Sequence, residues 1–187
     1  MKKWREVLAD VLGGLFSKDQ LSRAGASPDA VNAALTTRID FPIGDGVAAE
    51  EARQRIKIVA FMRQNLGDKY LLGIEVKPGE DSDTWDCSEI VQGAYARARM
   101  AIPDGSPYQY DACQPVPSPK PGDLGFLYNE KWGRIGHVMV ATESDTVIHA
   151  VGGRGVVEDP ISKWISNPRW RGWRRHVDFA RPPEDRV

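Results

Sequence analysis

A nucleophile and a base at neutral pH are most often supplied by cysteine and histidine, and this chain has few of either. It holds two cysteines, Cys87 and Cys113, and three histidines, His137, His149 and His176. A thiol attacks as its anion, so a base must hold the proton and later deliver it to the leaving amine. A third polar group then fixes the tautomer and orientation of that base. Cys87, His137 and His149 can fill these roles in chain order, and His176 is read as structural. A disulfide between Cys87 and Cys113 would block the thiol and remove the reading. A zinc site from Cys87, Cys113, His137 and His149 lacks the close-spaced ligand pairs of structural zinc, so no metal and no cofactor are expected.

The elements that carry these residues decide whether they can meet. In Trp85-Asp86-Cys87-Ser88-Glu89-Ile90-Val91-Gln92, the residues Ile90, Val91, Ala94, Tyr95 and Ala98 follow one face of a helix. Asp86 is its expected N-cap, which puts Cys87 in the first turn. Unpaired N–H groups and the helix dipole favour an anion there, so the expectation is a readily ionised thiol. His137 and His149 lie on consecutive strands, and parity matters. A two-residue hairpin at Ser144-Asp145 pairs Val140 with His149 and turns His137 to the other face. A three-residue loop, Glu143-Ser144-Asp145, pairs Met139 with His149 and makes His137 its diagonal neighbour, at roughly 7–8 Å between backbones. Catalysis requires the odd register or a bulge.

The rest of the chain sets bounds. Its 187 residues carry 25 basic and 26 acidic side chains, a net charge of −1, which gives no drive toward nucleic acid or anionic membrane. No run approaches the ~20 apolar residues of a membrane span. Lys2-Lys3 precedes an apolar stretch, but Glu6 and Asp10 interrupt it, so no Sec signal is read. Residues 3–16 are expected to form an amphipathic helix that packs on this protein, docks a partner, or lies on a membrane surface. Ser27-Pro28-Asp29 begins a second short helix and residues 36–46 read as a linker. The division is therefore 1–46, a helical appendage and linker, and 47–187, one domain.

Within that domain a helix is expected from about Ala48 to Leu66, with Ala52, Ile56, Val59, Met62 and Leu66 buried and Gly67 ending it. A Pro- and Gly-rich loop from Ile102 to Gly122 follows the cysteine helix and is expected to line a cleft. Strands are expected at Leu124–Tyr128, His137–Thr142, Thr146–Val151 and Gly155–Glu158. The run from Arg169 to Arg175 reads as a closing strand, tryptophans inward and arginines outward, in preference to a nucleic-acid patch. The tail 181–187 reads as frayed.

Four motifs in series carry a resemblance: Asp86-Cys87-Ser88, Pro121-Gly122-Asp123-Leu124, Ile135-Gly136-His137-Val138 and Ile148-His149-Ala150. Together, from about residue 50 to 176, they resemble the NlpC-type papain-like cell-wall cysteine peptidases. The resemblance implies an α+β papain-like core, with the cysteine helix packed on a small antiparallel sheet that bears the histidines. It implies hydrolysis of peptidoglycan stem peptides, typically between D-γ-glutamyl and diaminopimelate or lysine, without metal. Cys87 resembles the nucleophile, His137 the base and His149 the orienting third member. Tyr70, in Tyr70-Leu71-Leu72-Gly73, resembles a family tyrosine near the oxyanion, at a longer gap than usual. Asp86, Ser88 and Ser106 resemble residues that hold the stem peptide. Glu89 stands in place of the usual glycine and Asp104 in place of a common arginine. Both add negative charge near the mouth, which points to a cationic or amidated stem.

A cell-wall enzyme without an export signal is expected to travel by lysis, virion delivery or specialised secretion, as a bacteriophage enzyme or secreted effector. Two rival functions fit the same residues: a papain-like acyltransferase or deconjugase acting on other amides, and a non-catalytic phage structural module.

Overall fold

The structure, a computed structural model, describes residues 47–179. The expected helix at 3–16, the short helix beginning at Ser27, the linker 36–46 and the tail 181–187 lie outside the described residues. Helix α1 (Val47–Gln64) is followed by two short strands, β1 (Lys69–Tyr70) and β2 (Thr84–Trp85), which pair in parallel. Then come α2 (Cys87–Arg97), α3 (Ser106–Asp111), β3 (Cys113–Val116), β4 (Leu124–Asn129), β5 (Arg134–Ala141), β6 (Thr146–Val151), β7 (Gly155–Pro160), α4 (Ile161–Ile165) and β8 (Trp170–His176). The last six strands form one antiparallel sheet in the order β3-β8-β4-β5-β6-β7. This is the α+β arrangement expected, a cysteine-bearing helix against an antiparallel sheet.

Alternation along the strands sorts side chains onto two faces. Leu124, Phe126, Val138, Val140, Ile148 and Ala150 face the helices and pack with Ile58, Met62, Trp85, Ile90, Val91 and Tyr95. Leu127, Met139, Ala141, Val147 and Trp173 face the other way, under Trp164 and Trp170. Trp170 and Trp173 are three residues apart, so a regular strand would turn them to opposite sides. Gly172, at φ +91°, kinks β8 and both rings meet with centroids 4.8 Å apart. A side chain at Gly125 would collide with both tryptophans. The arginines of this strand are not simply outward: Arg174 donates to the carbonyls of Tyr110 and Cys113, and Arg175 binds Asp123.

Two other expectations need correction. The segment 102–122 is not one loop. Pro107 sits in the first turn of α3, where its missing N–H costs nothing, and Pro115 lies in β3, the edge strand, whose ladder tolerates it. In α1 the buried line runs through Gln54, Arg55, Ile58, Val59, Phe61 and Met62, with Ala52 and Ile56 only partly covered. Arg55 is pulled inward by an ion pair with Asp123, which periodicity of apolar residues does not register.

Candidate active site

Asp86 organises one half of the site. Its Oδ1 accepts from the N–H groups of Ser88 (2.8 Å) and Glu89 (2.9 Å) and from the Ser88 hydroxyl (2.9 Å), and so starts α2 as expected. Its Oδ2 accepts from the Gly73 N–H at 3.2 Å, which pins the Tyr70–Gly73 turn beside the helix start. The Leu71 N–H adds a bond to the Trp85 carbonyl. Opposite this turn, Gly155 adopts φ +74°, and any Cβ there would lie 2.1 Å from the Asp68 carbonyl oxygen. That close approach seats β1, and with it Tyr70, against β7. The Tyr70 hydroxyl is pushed up to about 12 by burial and by the neighbouring Cys87 and Asp86 charges, so it stays a donor. Ser106 is buried at the start of α3, and Gln109 of that helix donates to the Ser88 carbonyl at 3.0 Å.

Cys87 and Cys113 are both free and buried. The backbone N–H groups of Val138, Cys87 and Ser88 surround the Cys87 sulfur and favour its anion, but burial and the Asp86 carboxylate outweigh them and push the thiol up to about 12. The easily ionised thiol expected from the helix terminus is therefore not what the fold provides at rest. Burial removes water from the anion, and a helix end worth ~0.3–1 kcal/mol does not offset that.

The hairpin between β5 and β6 takes the odd register. Val140 pairs with Ile148 and Ala141 with Val147, and the Thr142 N–H donates to the Thr146 carbonyl, leaving the three-residue loop Glu143-Ser144-Asp145. The two imidazoles meet, His137 Nε2 lying 2.6 Å from His149 Nδ1. Next to His137, Gly136 leaves room for the Asn129 side chain of β4, which a Cβ there would strike. Val138, whose N–H faces the thiol, is the next residue after His137, so the β5 backbone touches the sulfur while the His137 ring packs toward Trp164. No hydrogen bond joins the sulfur and the ring at rest, as is common before substrate closes such a site.

Burial lowers the proton affinity of both rings, of His137 further through the His149 charge, while Asp159 partly opposes the shift at His149. Both are neutral in the folded protein at neutral pH. The unfolded chain protonates them below about pH 6.5, whereas the fold resists to about pH 4, so stability is full above pH 7 and is lost as pH falls through that window. Urea unfolding at pH 7 and pH 5 should differ by about 4 kcal/mol, about 2 for each ring, and His149→Gln should remove about half of the difference.

One residue of the site was absent from the sequence reading. His149 Nε2 lies 3.2 Å from Asp159 Oδ2, and Asp159 is held in turn by Arg154 and Lys163. Trp164 packs edge-on against His149 at 4.8 Å between centroids and against His137 at 6.1 Å. The signal was available. A three-residue turn at 152–154 pairs Val147 with Asp159 and His149 with Val157, which makes Asp159 a diagonal neighbour of His149 by the parity argument used for His137.

Glu89 also departs from expectation. It is buried, accepts the Val76 N–H at 3.0 Å, and is raised to about 7 by burial and by the shared hydrogen bond with Asp104. It fastens the segment after Gly73 and adds no free charge; the exposed acids nearby are Glu75 and Asp104. These three carboxylates form the one cluster of metal-ligating groups among the described residues, and Cys87, Cys113, His137 and His149 form none.

The NlpC/P60 family model matches residues 67–178, which is more than half the chain and contains Tyr70, Cys87, His137, His149 and Asp159. The chain belongs to the NlpC/P60 family. Solved structures with the same fold include the peptidoglycan hydrolase RipB from Mycobacterium tuberculosis, 23% identical over 86% of this chain and 90% of that one, TM-score 0.55. A lipoprotein-like NLP/P60 protein from Staphylococcus aureus is 22% identical over 80% of this chain and 48% of that one, TM-score 0.56. NlpC1 from Trichomonas vaginalis is 23% identical over 73% and 48%, TM-score 0.53. This chain spans about half the length of the last two. No curated protein matches it. The NlpC/P60 domain here keeps the papain-like layout, and none of the helices among the described residues is long and apolar enough to cross a membrane.

Proposed function

We propose that this NlpC/P60 protein is a cysteine endopeptidase or amidase of peptidoglycan stem peptides, cutting the bond between D-γ-glutamyl and diaminopimelate or lysine. Two observations support the reading: the Cys87 thiol ringed by backbone N–H groups, Val138 among them, and the coupled His137–His149 pair that begins one residue before Val138 on β5. RipB, and the SagA domain of the same fold, are peptidoglycan hydrolases, which favours this substrate over other amides.

His137 Nε2 is committed to His149, so Nδ1 is the ring nitrogen left to take a proton. As the thiol attacks the amide carbonyl, its proton passes to His137 Nδ1 and the sulfur–carbon bond forms. The oxyanion is held by the Cys87 N–H and the Tyr70 hydroxyl. His137 then protonates the leaving amine, the carbon–nitrogen bond breaks, and a thioester remains. Water, deprotonated by His137, cleaves the thioester and restores the thiol. Asp86, Ser88 and Ser106, gathered at the starts of α2 and α3, are the residues assigned here to holding the stem peptide.

Incubation with purified sacculi, followed by chromatography of the soluble fraction, tests the function. Peptides with a newly exposed amino group are expected from the native protein and none from Cys87→Ala. A folded native protein that releases nothing from sacculi of either stem type would overturn the assignment.

A further inference from the structure

We propose that Asp159, clamped by Arg154 and Lys163, is a positioning residue that sets the tautomers of both imidazoles and so leaves His137 Nδ1 free to act as base. The inference rests on the function proposed above for its kinetic arm only; its structural arm stands alone. A hydrogen bond between two neutral imidazoles can run in either direction. Only one direction is useful here. If His149 carries its proton on Nε2, its Nδ1 accepts from His137 Nε2–H, and His137 Nδ1 bears a lone pair. If His149 carries its proton on Nδ1, it donates to His137 Nε2, and the His137 proton moves to Nδ1, where it blocks proton abstraction.

Geometry selects the first. His149 is fully buried, so its Nε2 has Asp159 Oδ2 as its partner and no water to replace it. Every charged group that touches Asp159 keeps it an acceptor: Arg154 from the turn before β7 binds both oxygens, and Lys163 of α4 binds Oδ2 at 3.1 Å. An acceptor-only carboxylate requires the proton on His149 Nε2, and the 2.6 Å contact passes that choice to His137. Arg169, the other cation sensed by His137, carries no proton that this chain of bonds uses. Trp164 closes the pair from the far side and limits ring flipping.

Asp159→Asn is the discriminating variant, because an amide whose oxygen turns to Arg154 and Lys163 presents its NH2 to His149 Nε2 and inverts the chain. Nitrogen-15 NMR of histidine-labelled protein should show Nε2–H tautomers for His137 and His149 in the native protein and Nδ1–H tautomers in Asp159→Asn. On sacculi, the variant should lose about 10²–10⁴-fold in kcat with little change in KM, by the wrong-tautomer effect known for a triad aspartate. Part of that loss should return at alkaline pH, and Asp159→Glu should retain more activity than the amide. An Nδ1–H tautomer in the native protein overturns the inference without any variant, as do unchanged tautomers in Asp159→Asn. Inverted tautomers in a protein with no hydrolase activity would sink the proposed function and leave this inference standing.

Discussion

His137→Ala should reduce peptide release from sacculi by about 10³-fold or more, with KM little changed and circular dichroism unaltered. The size follows from the resting state of the thiol. With its proton affinity pushed up to about 12 by burial, Cys87 is a thiol at pH 7, so attack depends on a base that takes the proton during the step. A papain-type enzyme with a preformed thiolate–imidazolium pair would show a steep acid limb from that pair. Here the neutral imidazole persists well below pH 6.5, and the rate should hold on the acid side until the fold itself weakens. His149→Asn keeps an acceptor for His137 Nε2–H and should cost less than removal of His137. If His137→Ala stays within tenfold of the native rate, His137 is not the base.

The sequence carried most of the first half of this site, and for a physical reason. A helix cap, a first-turn cysteine and an apolar stripe are local features, written within a dozen residues, and α2 forms as they dictate. The histidine pair was legible only conditionally, because strand parity depends on one loop residue; the three-residue turn after Thr142 decided it. Asp159 required the same step once more across the next hairpin. What sequence could not supply was burial. Helix-terminus chemistry predicts an acidified thiol, but the covering of Cys87 by distant elements reverses the sign. Glu89 reads as an added mouth charge, yet the fold turns it inward onto Val76 and Asp104. Desolvation is a property of the assembled structure, so residue type and spacing carry no trace of it.

Asp123→Ala should destabilise the protein by about 3–5 kcal/mol, the usual cost of removing one partner of a buried ion pair. The aspartate of Pro121-Gly122-Asp123-Leu124 is fully buried at the entrance to β4, the strand between β8 and β5. It accepts from Arg55 Nη1 at 3.0 Å, from Arg175 Nη2 at 2.7 Å and from the Lys120 N–H at 2.8 Å. The two arginines would respond differently to its loss. Arg175 is about a quarter exposed and can turn to water. Arg55 is held under the Phe179 ring, 3.9 Å from its centroid, and its Nη2 already has no partner. Most of the cost therefore falls on Arg55, which would keep only Glu51 and the Pro121 carbonyl. Asp123→Asn preserves one acceptor oxygen and should cost less than alanine. Removing the stranded charge as well, in Asp123→Ala with Arg55→Met, should recover more than half of the loss in urea unfolding, since apolar groups of similar volume replace buried ion pairs at little cost. Additive losses in the double variant would mean that Asp123 stabilises β4 through its backbone contacts and not through Arg55.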